Sequence, residues 1–129
     1  AEFDIRTTSR NLHVSSLSGG NQQKVVLARE LSRPLSLLIA SQPTRGVDLG
    51  ATQFIWRTIT DARDAGTAVL LSSADLSELL ALSDRLIVLY RGKIVAAFVN
   101  SPDLTPETLG TYMLGLSTQT PAEMQVALK

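Results

Sequence analysis

Strands and helices alternate along this sequence, and that order predicts an α/β fold with a mostly parallel sheet. Two short apolar runs, residues 35–40 and 67–71, lack the alternation of a half-exposed strand and therefore favour strands buried on both faces. Each run is preceded by a longer segment with helical spacing of its apolar residues. This order is typical of a layered domain in which helices pack on a parallel sheet.

The first half of the chain begins with a loosely alternating stretch, residues 1–16, which predicts a short strand and a polar loop. A helix is expected over about 20–32, because Pro34 cannot continue it. A second helix is expected over about 50–64, and Gly66 stands where a helix-ending glycine belongs. The inward face of this second helix should be formed by small and apolar residues: Ala51, Ile55, Thr58, Ile59 and Ala62.

In the second half, Ser73 is the expected N-cap of a helix from residue 75 to about 82. Residues 86–98 predict two strands joined by a tight turn at Arg91 and Gly92. The sheet is therefore expected to carry a C-terminal hairpin.

The last expected helix begins with Thr105 as N-cap, Pro106 in the first turn and an acidic residue after it. It should end at about Leu114. Residues 117–129 are polar and rich in Ala, and we interpret them as a tail without regular structure.

The composition excludes several classes of protein. Lys plus Arg and Asp plus Glu number 12 each, so there is no basic excess for a nucleic-acid partner. Because the sequence has no cysteine and only one histidine, it cannot form a metal centre of thiolates or of several histidines. The apolar runs are too short to span a bilayer. Because the chain begins at Ala1 without Met, we expect it to be a piece of a longer protein.

The octet at residues 17–24, Leu-Ser-Gly-Gly-Asn-Gln-Gln-Lys, is the strongest local signal. Ser18 is a good helix N-cap, and Gly19 and Gly20 allow a close approach to the backbone. Free amides and the positive end of the helix dipole make such a turn a site for a phosphate. An ordinary capped helix is the alternative interpretation.

A second group of candidate residues follows the two buried strands. Ligands of open α/β sheets bind at the carboxyl ends of the strands. Those ends carry Ser41 and Gln42 after the first strand, and Ser72, Ser73 and Ala74 after the second.

The octet resembles the signature motif of ABC-type ATPases, in the form found in sugar and nucleoside importers. Residues 37–44, Leu-Leu-Ile-Ala-Ser-Gln-Pro-Thr, are similar to the Walker B strand, and residues 45–51 to the D-loop, with Asp48 as its aspartate. Residues 71–76 are similar to the switch-histidine loop, with Ala74 at the histidine position.

This resemblance covers residues 1–116 and is strongest for the second ATPase half of a two-half chain. It implies the C-terminal portion of a nucleotide-binding domain over 1–116 and a polar tail over 117–129. The sequence contains no Walker A loop, Gly-x-x-x-x-Gly-Lys-Ser/Thr, which cradles the phosphates. The implied fold is therefore a partial P-loop NTPase without its Walker A portion. ATP and Mg²⁺ are expected in the full assembly, and neither is expected to bind this chain alone.

The resemblance also implies that the catalytic positions of this half are degenerate. Ser41 replaces the carboxylate that holds the Mg²⁺ shell, and Gln42 replaces the glutamate that deprotonates the attacking water. Ala74 replaces the histidine that contacts the γ-phosphate. No metal ligands and no intact catalytic residues are expected here, so the 129 residues alone should be inactive even if the full protein is an ATPase.

In the family's head-to-tail dimer, the signature of one half covers ATP held by the other half. The resemblance therefore implies that Ser18, Gly19, Gly20 and Asn21 contact the partner's nucleotide in trans. Gln23 is expected to support the turn from the helix.

These residues lead to one principal hypothesis and two alternatives. In the first, the chain belongs to an importer ATPase at the cytoplasmic face of the membrane, with a second ATPase half and membrane permease subunits as partners and no nucleic acid. In the second, it is a non-catalytic half that sets dimer geometry and docks the permease. In the third, it belongs to a soluble ABC-type protein that acts on DNA or ribosomes.

Without the upstream strand and phosphate loop that the resemblance implies, one flank of the sheet should be open. We therefore expect the isolated chain to self-associate.

Overall fold

The computed structural model describes Ile5, Ser9 and residues 11–129. The chain divides into two compact units, Ala1–Ala74 and Asp75–Lys129. The strand predicted at the start of the chain lies almost entirely outside the described residues. The α/β fold with a parallel sheet and a C-terminal antiparallel hairpin is confirmed.

The first unit alternates helix and strand as the sequence predicts. After a 3-10 turn, its elements are α1 (Gly19–Leu31), β1 (Leu37–Ser41), α2 (Leu49–Asp64) and β2 (Ala68–Ser72). Strands β1 and β2 pair in parallel, and their register places Ser41 beside Ser72 at the carboxyl end. The two polar strand ends are thus brought together.

Burial along β1 differs from the prediction. Leu38 and Ala40 are buried, whereas Leu37 and Ile39 are 52% and 66% exposed. Since side chains alternate across a strand, β1 buries one face and exposes the other. The prediction of two covered faces is wrong for the described residues, because the sheet there has only two strands and an apolar run does not specify what covers it.

Helix α2 supplies much of the buried surface of the first unit. Ala51, Ile55 and Ile59 are buried at helical spacing, whereas the predicted Thr58 and Ala62 are only half-buried. Beyond its last turn the chain reverses at Gly66, where φ is 96°. A left-handed residue at this position explains the glycine.

The second unit contains the predicted hairpin and three helices. Its elements are α3 (Leu76–Leu82), β3 (Arg85–Tyr90), β4 (Lys93–Val99), α4 (Pro106–Met113) and α5 (Pro121–Leu128). Strands β3 and β4 pair antiparallel across the turn at Arg91 and Gly92. Thr105 caps α4 as predicted, with its side chain accepting from the Thr108 amide.

The N-cap predicted for α3 is wrong. Asp75, not Ser73, caps the helix, because its carboxylate accepts hydrogen bonds from the amides of Ser77 and Glu78 at 2.8 and 3.4 Å. A cap must directly precede the first turn, and the helix begins at Leu76, two residues later than a cap at Ser73 would require.

Residues 117–129 are not an irregular tail, since they contain helix α5. Thr120 and Glu123 form a reciprocal capping box, and the Thr120 backbone N–H and hydroxyl lower the pKa of the Glu123 carboxyl.

Ahead of the helix, Gln119 follows the outer edge of β4. Its backbone N–H donates to the Val95 carbonyl at 2.9 Å, and its side-chain Oε1 accepts from the backbone N–H of Ala97 at 2.8 Å. The hairpin edge is thereby covered.

None of the helices in the described part of the chain has both the length and the apolar character needed to cross a membrane.

Replacing Gln119 tests whether this edge contact stabilises the second unit. Gln119→Ala leaves the N–H of buried Ala97 without its acceptor, so we expect a loss of about 1–2 kcal/mol in the free energy of unfolding. Urea denaturation measures the change. Gln125→Ala, at an exposed position of α5, is the matched control and should be near neutral. Equal stability of the two variants would contradict the role of Gln119.

Candidate functional site

Ser18 caps helix α1 and is exposed at the start of the predicted phosphate turn. Its Oγ accepts from the Asn21 amide at 3.4 Å and from Asn21 Nδ2 at 3.0 Å. A hydroxyl oxygen has two acceptor positions, and both are engaged. Toward any ligand, the Ser18 hydroxyl can therefore act only as a donor, which suits a phosphate.

The two glycines of this turn lie against the segment that leads into α2. A Cβ on Gly20, which is buried, would lie 2.8 Å from the Ala51 Cβ and 3.3 Å from Asp48 Oδ2. A Cβ on Gly19 would lie 3.3 Å from the Gly46 carbonyl oxygen. Gly20 is thus required by the packing of α1 on α2, whereas Gly19 is exposed and meets only the loop before α2.

Asp48 is the N-cap of α2. Its Oδ1 accepts from the Ala51 amide at 2.8 Å, and its other oxygen faces Gly20. A carboxylate there offsets the positive field at the start of α2 and disfavours an anion beside Gly20. The start of α1 has no acidic residue in its first turn, so its positive end is uncompensated by its own sequence.

A cleft of about 210 Å³ separates the first turns of α1 from the loop before α2. One wall is the exposed side of α1 and the other is the loop at residues 45–47. The lining residues are Gly19, Gln22, Gln23, Val26, Arg45, Gly46 and Val47. The Arg45 cation and two side-chain amides give the cleft the polar character expected for an anionic or polar group.

Two residues of the octet have contacts that the sequence did not predict. Gln22 Nε2 donates to the Leu17 carbonyl at 2.8 Å, so the helix holds the turn through Gln22, whereas Gln23 lines the cleft. Lys24 is 8% exposed, and its Nζ lies 4.7 Å from the centroid of the Phe54 ring. This cation–π contact joins α1 to α2. In the sequence, the only indication of this contact is that Lys24 lies on the apolar face of the predicted helix.

The polar strand ends form a second cluster in the same unit. The backbone N–H of Gln42 donates to the Ser72 carbonyl at 2.7 Å. The side-chain oxygen Oε1 of Gln42 accepts from the backbone N–H of Ala74 at 3.2 Å. Ser41 lies beside Ser72 in the strand register. All three positions singled out for catalysis thus meet at one edge of the sheet.

The donors at this edge fit a magnesium ion poorly. Ser41 offers a neutral hydroxyl, and the Gln42 oxygen already accepts a hydrogen bond. Mg²⁺ is usually held through carboxylates, and among the described residues no group of three or more His, Asp or Glu side chains could hold a metal ion.

Curated relatives cover most of this chain. It is 49% identical over 118 residues to the guanosine import ATP-binding protein NupO of Bacillus subtilis, which matches 92% of this chain and 23% of that protein. It is 40% identical over 123 residues to the ribose import ATP-binding protein RbsA 2 of Mesorhizobium japonicum, with 95% and 24% covered. The chain thus spans about a quarter of the length of these relatives. No protein-family model matches it.

Solved structures support the fold. A dimeric ATP-binding cassette in a post-hydrolysis state, bound to ADP and Pi, matches 78% of this chain and 43% of its own chain. The TM-score is 0.68 and the sequence identity is 24%. This likeness places the described α/β elements in the ATP-binding cassette fold.

The glycine contact between α1 and α2 can be tested by adding one methyl group. We expect Gly20→Ala to cost about 1–3 kcal/mol in the free energy of unfolding, because its Cβ would lie 2.8 Å from another Cβ. Denaturant titration gives the value. Gly110→Ala is the control: it lies in α4 with nothing within 4 Å of the added methyl, and should be neutral or stabilising. A neutral Gly20→Ala would show that the helices can separate without cost.

Proposed function

We propose that this chain, which is homologous over one segment to the ATP-binding proteins of sugar and nucleoside importers, couples ATP binding and hydrolysis to solute uptake. Its part in that process is to supply the turn at residues 17–24 to a nucleotide that a second ATPase half holds. The observation that carries the proposal is the exposed, Ser18-capped start of α1, held against the loop before α2.

The contact to phosphate is made at the exposed edge of the turn. Ser18 donates its hydroxyl hydrogen, and the exposed Gly19 lies at the positive end of α1, whose own first turn has no acidic residue. Gly20 is buried beside the Asp48 carboxylate, so its role is to let the two helices approach. Asn21 orients the Ser18 oxygen, and Gln23 borders the cleft beside it. Such preorganised donors stabilise charge that develops during phosphoryl transfer.

The chain's own strand ends do not carry out hydrolysis. Gln42 lacks a basic site for the proton of an attacking water, and its amide oxygen is bound to Ala74. Ala74 offers no side-chain donor, and Ser41 is a weak ligand for Mg²⁺. Because each lost donor lowers a rate by about a hundred- to thousand-fold, this half is degenerate at its own site.

The names of the relatives support the rest of the proposal. NupO and RbsA 2 are named for guanosine and ribose import, so the solute of this chain is a sugar or a nucleoside. The partners are a second ATPase half, which carries the Walker A loop, and the permease subunits. With these partners, the chain works at the cytoplasmic face of the membrane, with ATP and Mg²⁺ bound in the assembly.

A second function uses the same surface without catalysis. In that function the half sets the geometry of the dimer and docks the permease. The neutral residues at the strand ends favour it equally, so the test must act on the turn itself.

Ser18→Arg distinguishes the two functions in the assembled protein. The substitution removes the hydroxyl donor and places a bulky cation at the turn, so we expect steady-state ATP hydrolysis to fall by about a hundred-fold or more. Ser32→Arg, exposed at the opposite end of α1, is the matched control and should hydrolyse ATP at the normal rate. Unchanged hydrolysis by a folded Ser18→Arg protein would leave only the non-catalytic function.

Restoring the missing groups tests the degeneracy of this half. The triple variant Ser41→Asp, Gln42→Glu and Ala74→His supplies a carboxylate ligand, a base and a γ-phosphate contact. We expect it to add a second active site to the assembled protein, because these are the groups that the proposed function holds to be missing. ATP turnover is measured after the partner's own catalytic site has been inactivated. An unchanged rate would mean that these three residues are not what limits this half.

A further inference from the structure

Gln42 has an unusual backbone conformation immediately after β1. Its φ is 50°, and among the described residues only Arg91 shares a positive φ without being a glycine. Arg91 lies in the tight hairpin turn, where such angles are expected. Gln42 lies in no hairpin, so its conformation, which costs about 1–2 kcal/mol, must be held by other contacts.

Three hydrogen bonds hold Gln42 in place. Its amide donates to the Ser72 carbonyl at 2.7 Å, and its side-chain oxygen accepts from the Ala74 amide at 3.2 Å. Its carbonyl accepts from the Arg45 amide at 3.1 Å, which closes the turn toward α2. The residue therefore joins the end of β1 to the loop after β2.

The turn that starts at Gln42 leads directly to the signature glycines. Gly46 has φ 75°, and its carbonyl oxygen faces Gly19. Two residues later, Asp48 faces Gly20 while it caps α2. A continuous series of contacts thus connects the loop at Ala74 with the start of α1.

From these contacts we infer that Gln42 is a positioning residue, whose side chain fastens the loop after β2 and thereby holds the turn at residues 17–24. Glutamine can do this without charge, since one neutral amide oxygen satisfies one backbone N–H. The residue acts through Ala74 and the turn, and does not touch the nucleotide. The effect on ATP hydrolysis rests on the proposed function in trans, whereas the effect on the turn does not.

Gln42→Met and Gln42→Asn each remove the side-chain bond to Ala74, and they do so in different ways. Met keeps the length but replaces the amide oxygen with a weak acceptor, whereas Asn favours a positive φ but is one methylene too short. In both we expect hydrogen exchange at the Ala74 amide to accelerate about ten-fold or more, and exchange at the backbone amides of Asn21 and Gln22, which bond Ser18, to accelerate with it. Gln42→Glu keeps the acceptor and should preserve slow exchange. Gln53→Met, exposed on α2, is the matched control.

The outcomes are distinguishable. Unchanged exchange at Ala74 in both Met and Asn variants would overturn the fastening role. Faster exchange at Ala74 with unchanged exchange at Asn21 and Gln22 would overturn the link to the turn. If all three amides exchange faster and ATP hydrolysis by the assembled protein falls about ten-fold or more, the inference and the proposed function both stand. If they exchange faster while hydrolysis is unchanged, the positioning role stands and the function in trans fails.

Discussion

The contact between the start of α1 and the segment leading into α2 is the constraint on which the candidate site depends. Gly20 allows the first turn of α1 to lie against Ala51, and Gly19 faces the Gly46 carbonyl. Lys24 reinforces this contact one turn later through the Phe54 ring. Because the two helices meet here, Ser18 and the cleft beside Arg45 belong to one surface. Separation of the helices would divide that surface into a capped helix and an unrelated loop.

Two helix starts lie side by side, and their caps give them different electrostatic character. Ser18 caps α1 with a neutral hydroxyl, whereas Asp48 caps α2 with a carboxylate. A carboxylate offsets the positive end of a helix, and a hydroxyl does not. The Asp48 carboxylate also faces Gly20, so the field that favours an anion is left at the exposed Ser18 and Gly19 edge of α1. The choice of cap residue thus directs the expected phosphate contact to the outer edge of the turn.

At the strand ends, neutral side chains and backbone groups hold one another in place. Gln42 binds the Ser72 carbonyl and the Ala74 amide, which are backbone groups that a change of side chain other than to proline would retain. No charge has to be desolvated or compensated at this edge. Under the proposed function, this edge has to be well positioned rather than reactive.

The sequence alone determined the order of helices and strands, the hairpin at Arg91 and Gly92, and the caps at Ser18 and Thr105, because these depend on periodicity and on hydrogen bonds between near neighbours. It also brought out the octet and the strand ends as candidate sites, whose roles remain predictions. Only the tertiary structure showed the bond between Gln42 and Ala74, the approach of Gly20 to Ala51, the exposed face of β1 and the docking of Gln119 before α5. Each of these joins residues about twenty to thirty positions apart or depends on what covers a surface, and packing rather than local preference fixes such contacts.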